Sequence, residues 1–151
     1  MGEPTHPTDD GFTEMEDEGF IALVGPMYAG AMTAETARFR FVAQDKHRNL
    51  RGVVQGGMIM TFADRAMGLT ARQGDPRIRT ATVQLDVHFI DAVHVDDVTE
   101  IECRILRRTR SLIFMDGTMR VGGRLVATAR GTWKLLRPLP EGSSEPAASA
   151  G

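Results

Sequence analysis

Hydrophobic and polar positions along the chain follow two periodicities. From about Gly56 to Arg72 (GGMIMTFADRAMGLTAR) the apolar residues Met58, Ile59, Phe62, Ala63, Ala66, Met67 and Leu69 recur at helical spacing. Met60 widens that stripe, so the spacing predicts a helix buried around most of its girth. Its only charges before the last turn are Asp64 and Arg65. Elsewhere the period is two. Thr33 to Val42 sets Ala37, Phe39 and Phe41 against Thr36, Arg38 and Arg40, which predicts a strand. TATVQLDVHFI puts Val83, Leu85, Val87 and Phe89 on one face, and TEIECRIL sets Ile101, Cys103 and Ile105 against Glu100, Glu102 and Arg104. SLIFMDGTMRV follows through RRTR, and a last strand from Leu125 to Leu136 follows through Gly122 and Gly123, both hairpin signals.

The order is therefore strand, buried helix, then four strands joined mostly by hairpins. An antiparallel sheet wrapped around one long apolar helix is an α+β layer arrangement. In the last strand the inward residues Ala127, Ala129 and Gly131 are small, which leaves room for the helix. The outer face carries charges together with Val126 and Leu136, a mixture that suits a partner subunit. Between Glu14 and Val24 a short helix or turn is expected, ended by Gly25 and Pro26. Residues 1–12 read as a disordered acidic arm, 13–137 as the folded domain and 138–151 as a disordered tail.

A length of 151 residues suits one domain. No run approaches the roughly 18 apolar residues of a membrane-spanning helix, so no membrane partner is expected. The 18 Lys and Arg against 20 Asp and Glu give a net charge of −2, but that total averages unlike parts. Residues 1–20 hold seven acids and no Lys or Arg, and the tail adds Glu141 and Glu145. Residues 21–137 thus hold the other 11 acids against all 18 bases, a balance of +7. The single cysteine, Cys103, excludes an internal disulfide, and the four scattered histidines lack zinc-site spacing, so no metal is expected. Without a basic stretch followed by an apolar one at the N-terminus, a cytoplasmic location is expected.

Candidate chemistry gathers before and within the helix, in His47-Arg-Asn49-Leu-Arg-Gly52-Val-Val-Gln55-Gly56-Gly57 and then Asp64. Two glycines at a helix start allow close approach to the backbone, where free N–H groups and the helix dipole stabilise negative charge. Asp64 follows Gly57 by about two turns, so carboxylate and donors share one face. Either feature alone is commonplace as a turn or a solvated charge. A carboxylate among Ile59, Phe62, Ala63, Ala66 and Met67, however, is costly unless it is paired.

The pattern His47-x-Asn49-x-x-Gly52-x-x-x-Gly56-Gly57, with Asp64 preceded by Ala63 and followed by Ala66 and Gly68, resembles the signature of hotdog-fold acyl-CoA thioesterases of the phenylacetate-pathway (PaaI-like) group. The resemblance spans roughly residues 25–136. It implies an acyl-CoA substrate, no cofactor beyond the CoA of that substrate, and a site at the interface of a homodimer or homotetramer. It also implies roles. Gly56 would donate its amide to the thioester carbonyl, and Asn49 would position that carbonyl or the water. Asp64 of the other protomer would act as base or nucleophile. Thr82, better spaced than Thr80, would assist it, while His47, Gln55 and Gly57 would border the substrate. The family most often has His where this chain has Gln55, which cannot titrate. That difference motivates two alternatives on the same scaffold, a non-catalytic acyl-CoA or small-ligand binder and an acyl-CoA hydratase.

Arg107, Arg108 and Arg110 cluster in the RRTR hairpin, near Arg104 and Arg130. Arginine forks match phosphate oxygens, which suggests the CoA phosphates as their partner. No aromatic residue stands among them as a stacking platform, so nucleic acid is not expected.

Overall fold

In the computed structural model, which describes residues 6–142, the apolar segment singled out above forms a helix inside a curved sheet. The elements run β1 (Thr13–Glu14), α1 (Gly19–Val24), β2 (Met27–Met32), β3 (Thr36–Val42), α2 (Gly56–Ala71), β4 (Thr80–Phe89), β5 (Val98–Arg108), β6 (Leu112–Val121) and β7 (Arg124–Leu135). All pairings are antiparallel, and the sheet order is β1-β2-β3-β5-β6-β7-β4. Among the described residues no helix is long and apolar enough to cross a membrane.

The core lies between α2 and the concave face of the sheet. Met58, Ile59, Phe62, Ala63, Ala66, Met67, Thr70 and Ala71 are buried on one side of α2, against Phe39, Phe41, Ile101, Cys103, Met115 and Trp133. The α+β arrangement of a sheet around one helix is as the sequence predicts. The space at Gly131 is taken differently: a Cβ there would lie 2.7 Å from the Trp133 ring and from the Gln84 carbonyl. Trp133 in turn reaches α2 at Gly68.

Four local expectations are corrected. First, β1 and β2 are absent from the sequence reading. MYAGAM does not alternate, and its pairing with β3 is interrupted by a register shift between Ala29 and Met32. The strand expected from Thr33 begins at Thr36, after a turn closed by Thr33 N–H on the Thr36 carbonyl (2.8 Å). Second, Val126 is buried, not on the outer face, because the chain after β4 folds over it and Ile90 and Asp91 both donate to its carbonyl. Third, among the described residues β4 has β7 on one side and no strand on the other, and Val83 and Phe89 are exposed although Leu85 and Val87 pack on the core.

The fourth concerns the arm. Residues 9–11 form a 3-10 turn, and Phe12 is buried on the outer face of β2 and β3. The Phe12 ring covers the Arg40 guanidinium at 3.7 Å and fills the space above Gly30, where a Cβ would lie 2.6 Å from it. Arg40 itself is 1% exposed, bonded to Glu100 (2.8 Å), the Asp9 carbonyl (2.8 Å) and Asp10 (3.2 Å). A buried guanidinium needs such partners, and they lie about 30 or more residues away in sequence, beyond the reach of local composition. Residues 1–5 of the expected arm and 143–151 of the expected tail lie outside the described residues; 138–142 form no helix or strand.

Candidate active site

Gln55 caps α2 with extended backbone angles, and the amides of Met58 and Ile59 both close on its carbonyl. Gly56 and Gly57 therefore open the helix with amides that have no carbonyl within it. Gly56 is the floor of a cleft of about 440 Å³ with Asn49 and Arg51 at its polar side and Ile59, Phe89 and Val126 among its apolar walls. A Cβ at Gly56 would lie 3.3 Å from the Phe89 ring, so the glycine keeps this floor open without displacing that side chain. Asn49 is held by a tight turn in which its Oδ1 accepts the Arg51 amide (2.8 Å) and its carbonyl accepts the Gly52 amide (3.0 Å). With Oδ1 engaged, the Asn49 NH₂ is the group left to offer a carbonyl oxygen.

Asp64 stands two turns further along α2. It is exposed, on the side of the helix away from its buried apolar neighbours, which differs from the enclosed carboxylate that the sequence suggests. Arg65 does not neutralise it, because the Arg65 guanidinium pairs with the buried Asp17. Its partner is Thr82 of β4, whose hydroxyl donates to Asp64 Oδ1 at 2.6 Å. The structure thus brings the expected residues together in two groups, Gly56 with Asn49 and Asp64 with Thr82. Eight residues of helix separate Gly56 from Asp64, about 12 Å at roughly 1.5 Å per residue. One thioester carbon cannot touch an amide and a carboxylate that far apart.

Other expected residues lie elsewhere. His47 is 4% exposed, with Nδ1 accepting the Gln44 amide (2.9 Å) and Nε2 donating to the Val24 carbonyl (2.5 Å). Burial holds its pKa below the ordinary histidine value, so it is a neutral fastener between α1 and the loop and does not border the cleft. Gln55 and Gly57 are exposed, Gln55 in a shallow hollow next to the cleft with Arg48 and Arg51. Arg108 donates to the Ala71 carbonyl (2.7 Å), closing the C-terminal end of α2. Arg107 and Arg110 are exposed at that same end, opposite Gly56. The Cys103 thiol is buried and pushed up to about 12, which leaves it protonated and inert as a nucleophile.

Sequence reasoning missed Arg51 and Phe89. The turn signal Asn49-Leu50-Arg51-Gly52 was available for the first; the second depends on tertiary packing alone.

Comparison with known proteins places these residues in context. Residues 51–129 match the family model described as the thioesterase superfamily. A Caenorhabditis elegans protein carrying an esterase name is 30% identical over 127 residues, covering 80% of this chain and 73% of that one. A Pseudomonas aeruginosa protein, also named as an esterase, is 28% identical over 116 residues, covering 76% and 87%. Among solved structures, a hypothetical thioesterase protein from Streptococcus pneumoniae with coenzyme A superposes with a TM-score of 0.69 at 21% identity, covering 74% of this chain and 87% of that one. That likeness shows the hotdog fold.

Proposed function

The chain belongs to the thioesterase superfamily, and from that premise we propose that it hydrolyses acyl-CoA thioesters to a free acid and CoA at a site completed by two copies of the chain. The spacing of Asn49, Gly56, Gly57 and Asp64 supports a place in the PaaI-like group. One observation carries the reading: a donor group and an acceptor group lie on one helix about 12 Å apart, next to an unpaired sheet edge.

That edge supplies the second copy. β4 is open along this edge and exposes Val83 (59%) and Phe89 (55%), with Ile90 just beyond it 50% exposed. Such an edge invites pairing with another strand. Thr82 and Phe89 stand towards the two ends of β4 and both face α2, Thr82 bonded to Asp64 and Phe89 packed on Gly56. Antiparallel pairing of two β4 strands through their middle brings the Thr82 end of one, and with it Asp64, towards the Phe89 end of the other. Since Phe89 packs on Gly56, the Asp64 of one protomer then meets the oxyanion donor of the other.

In this assembly the thioester oxygen takes hydrogen bonds from the Gly56 amide and the Asn49 NH₂, which strengthen as it becomes an oxyanion. Asp64 either removes a proton from water as that water adds to the carbonyl carbon, or adds itself to form an anhydride that water then opens. In both routes the C–S bond breaks with its electron pair on sulfur, and the CoA thiolate leaves and is protonated. Water is the only co-reactant, and no metal or other cofactor is required by these steps. Thr82 is a positioning residue for Asp64.

The test is Asp64→Asn, a near-isosteric change at an exposed position, assayed for thiol release on a panel of acyl-CoAs. Loss of nearly all turnover with an unchanged melting temperature supports the proposal, and equal release from both proteins refutes it. A second reading, binding without hydrolysis, draws on Gln55 in the place where a titratable histidine is more usual; it expects thermal stabilisation by acyl-CoA and no thiol release from any thioester.

A further inference from the structure

Resting on the acyl-CoA reading above, we infer that Arg51, at the tip of the turn before α2, receives the phosphates of the CoA moiety and makes the site selective for thioesters that carry the nucleotide. The sequence directs attention to the RRTR hairpin, but Arg108 there is committed to the end of α2. Arg51 stands at the opposite end of the helix. It lines the cleft that has Gly56 as its floor and also the adjoining hollow formed with Arg48, Asn49 and Gln55. Asn49 and Arg51 line both hollows.

Charge singles out Arg51 among the cations and anions of these hollows. Arg48 is paired with Asp45 at 2.6 Å, and Asp91 with Arg124 at 3.0 Å. Arg51 is exposed and, among the described residues, its guanidinium makes no ion pair. A free fork of this kind matches a diphosphate bidentately. Its backbone is meanwhile fixed, since the Arg51 amide is bonded to Asn49 Oδ1 and Gly52 closes the turn with φ +85°. Leu50, next to it, is fully exposed and offers an apolar surface for a base.

The arrangement orders the substrate along one line. An acyl group rests on the apolar walls, the thioester lies at Gly56 and Asn49, and the pantetheine arm leads out past Asn49 to Arg51. The group that fixes the carbonyl and the group that holds the phosphates thus share one four-residue turn.

The experiment compares one acyl group carried by CoA and by pantetheine, which lacks the diphosphate and the adenosine, in wild type, Arg51→Ala and Arg51→Lys. Arg51→Ala is expected to raise KM for the CoA thioester roughly 10- to 100-fold, with kcat and the pantetheine thioester little changed. Arg51→Lys is expected to recover part of that loss. Calorimetric binding of free CoA to the same proteins needs no turnover, so it judges Arg51 even if hydrolysis itself fails. Equal effects on both thioesters, no effect on either, or transfer of the phosphate dependence to an Arg107→Ala/Arg110→Ala protein would each overturn the assignment.

Discussion

Thr82 and Asp64, 18 residues apart in sequence, are joined by a hydrogen bond of 2.6 Å from the threonine hydroxyl to the carboxylate. It links the edge strand to the exposed face of α2 and fixes the direction in which the carboxylate points. Thr82→Val removes the donor while keeping the shape of the side chain. The expected result is a fall in kcat of about tenfold with KM nearly unchanged, and recovery in Thr82→Ser. Because the pair is exposed, the melting temperature should hardly move. Steady-state kinetics beside a thermal melt check both statements.

Gly56→Pro isolates the oxyanion donor. Proline has no N–H, yet it is well tolerated at the first position of a helix, and Gln55 already has the extended angles (φ −61°, ψ 135°) that a residue before proline requires. A Cβ at this position lies 3.3 Å from the Phe89 ring, which must give by a few tenths of an ångström, so dimer formation is checked beside turnover. Turnover is expected to drop by about 100-fold or more with the helix intact by circular dichroism. Unaltered turnover would remove Gly56 from the mechanism.

His47 gives stability a pH dependence. Its folded-state pKa lies below the unfolded value of about 6.5, so between the two the unfolded chain binds the extra proton. Its contribution is complete above about pH 6.5 and is lost as pH falls through the folded-state value. Urea titrations from pH 7.5 to 5 should show stability falling with acid, and less steeply in His47→Gln. His47→Ala, which strands the Gln44 amide and the Val24 carbonyl, should cost about 2–4 kcal/mol at pH 7.5.

Phe12→Ala tests the N-terminal turn. The substitution uncovers Arg40 and empties the seat above Gly30, and should destabilise the fold by about 2–4 kcal/mol. Limited proteolysis should then cut before β1 sooner than in wild type. A cleavage rate equal to that of wild type would mean that the Phe12 contact contributes nothing.

Helix α2 and strands β3 and β5 to β7 were legible from periodicity, because each buries a regular face against the same core; β4 was legible as a strand, though only Leu85 and Val87 of its predicted face reach that core. The two-residue β1 and the glycine-interrupted β2 were not, since neither alternates and their order depends on Phe12, Tyr28 and Arg40 meeting across the sheet. Of the site, the glycine pair and Asp64 on one helix face indicated chemistry, while Asn49 and Thr82 entered only through the resemblance to hotdog-fold thioesterases. His47 shares the motif but turns inward, because residue spacing does not reveal which side of a loop a ring takes. The RRTR arginines drew attention through local density, whereas Arg51 is distinguished by lining the cleft and, unlike Arg48 beside it, by making no ion pair among the described residues.

The most direct test of a site shared between two chains is complementation between Asp64→Asn and Gly56→Pro proteins, each assayed alone and after mixing under conditions that exchange subunits. If Asp64 of one chain works with Gly56 of the other, every mixed dimer regains one intact site, and equal mixing should restore about a quarter of wild-type thioesterase activity. If both groups act within one chain, no mixed dimer has an intact site. Activity that stays at the level of the separate variants, with exchange confirmed, would contradict the shared site.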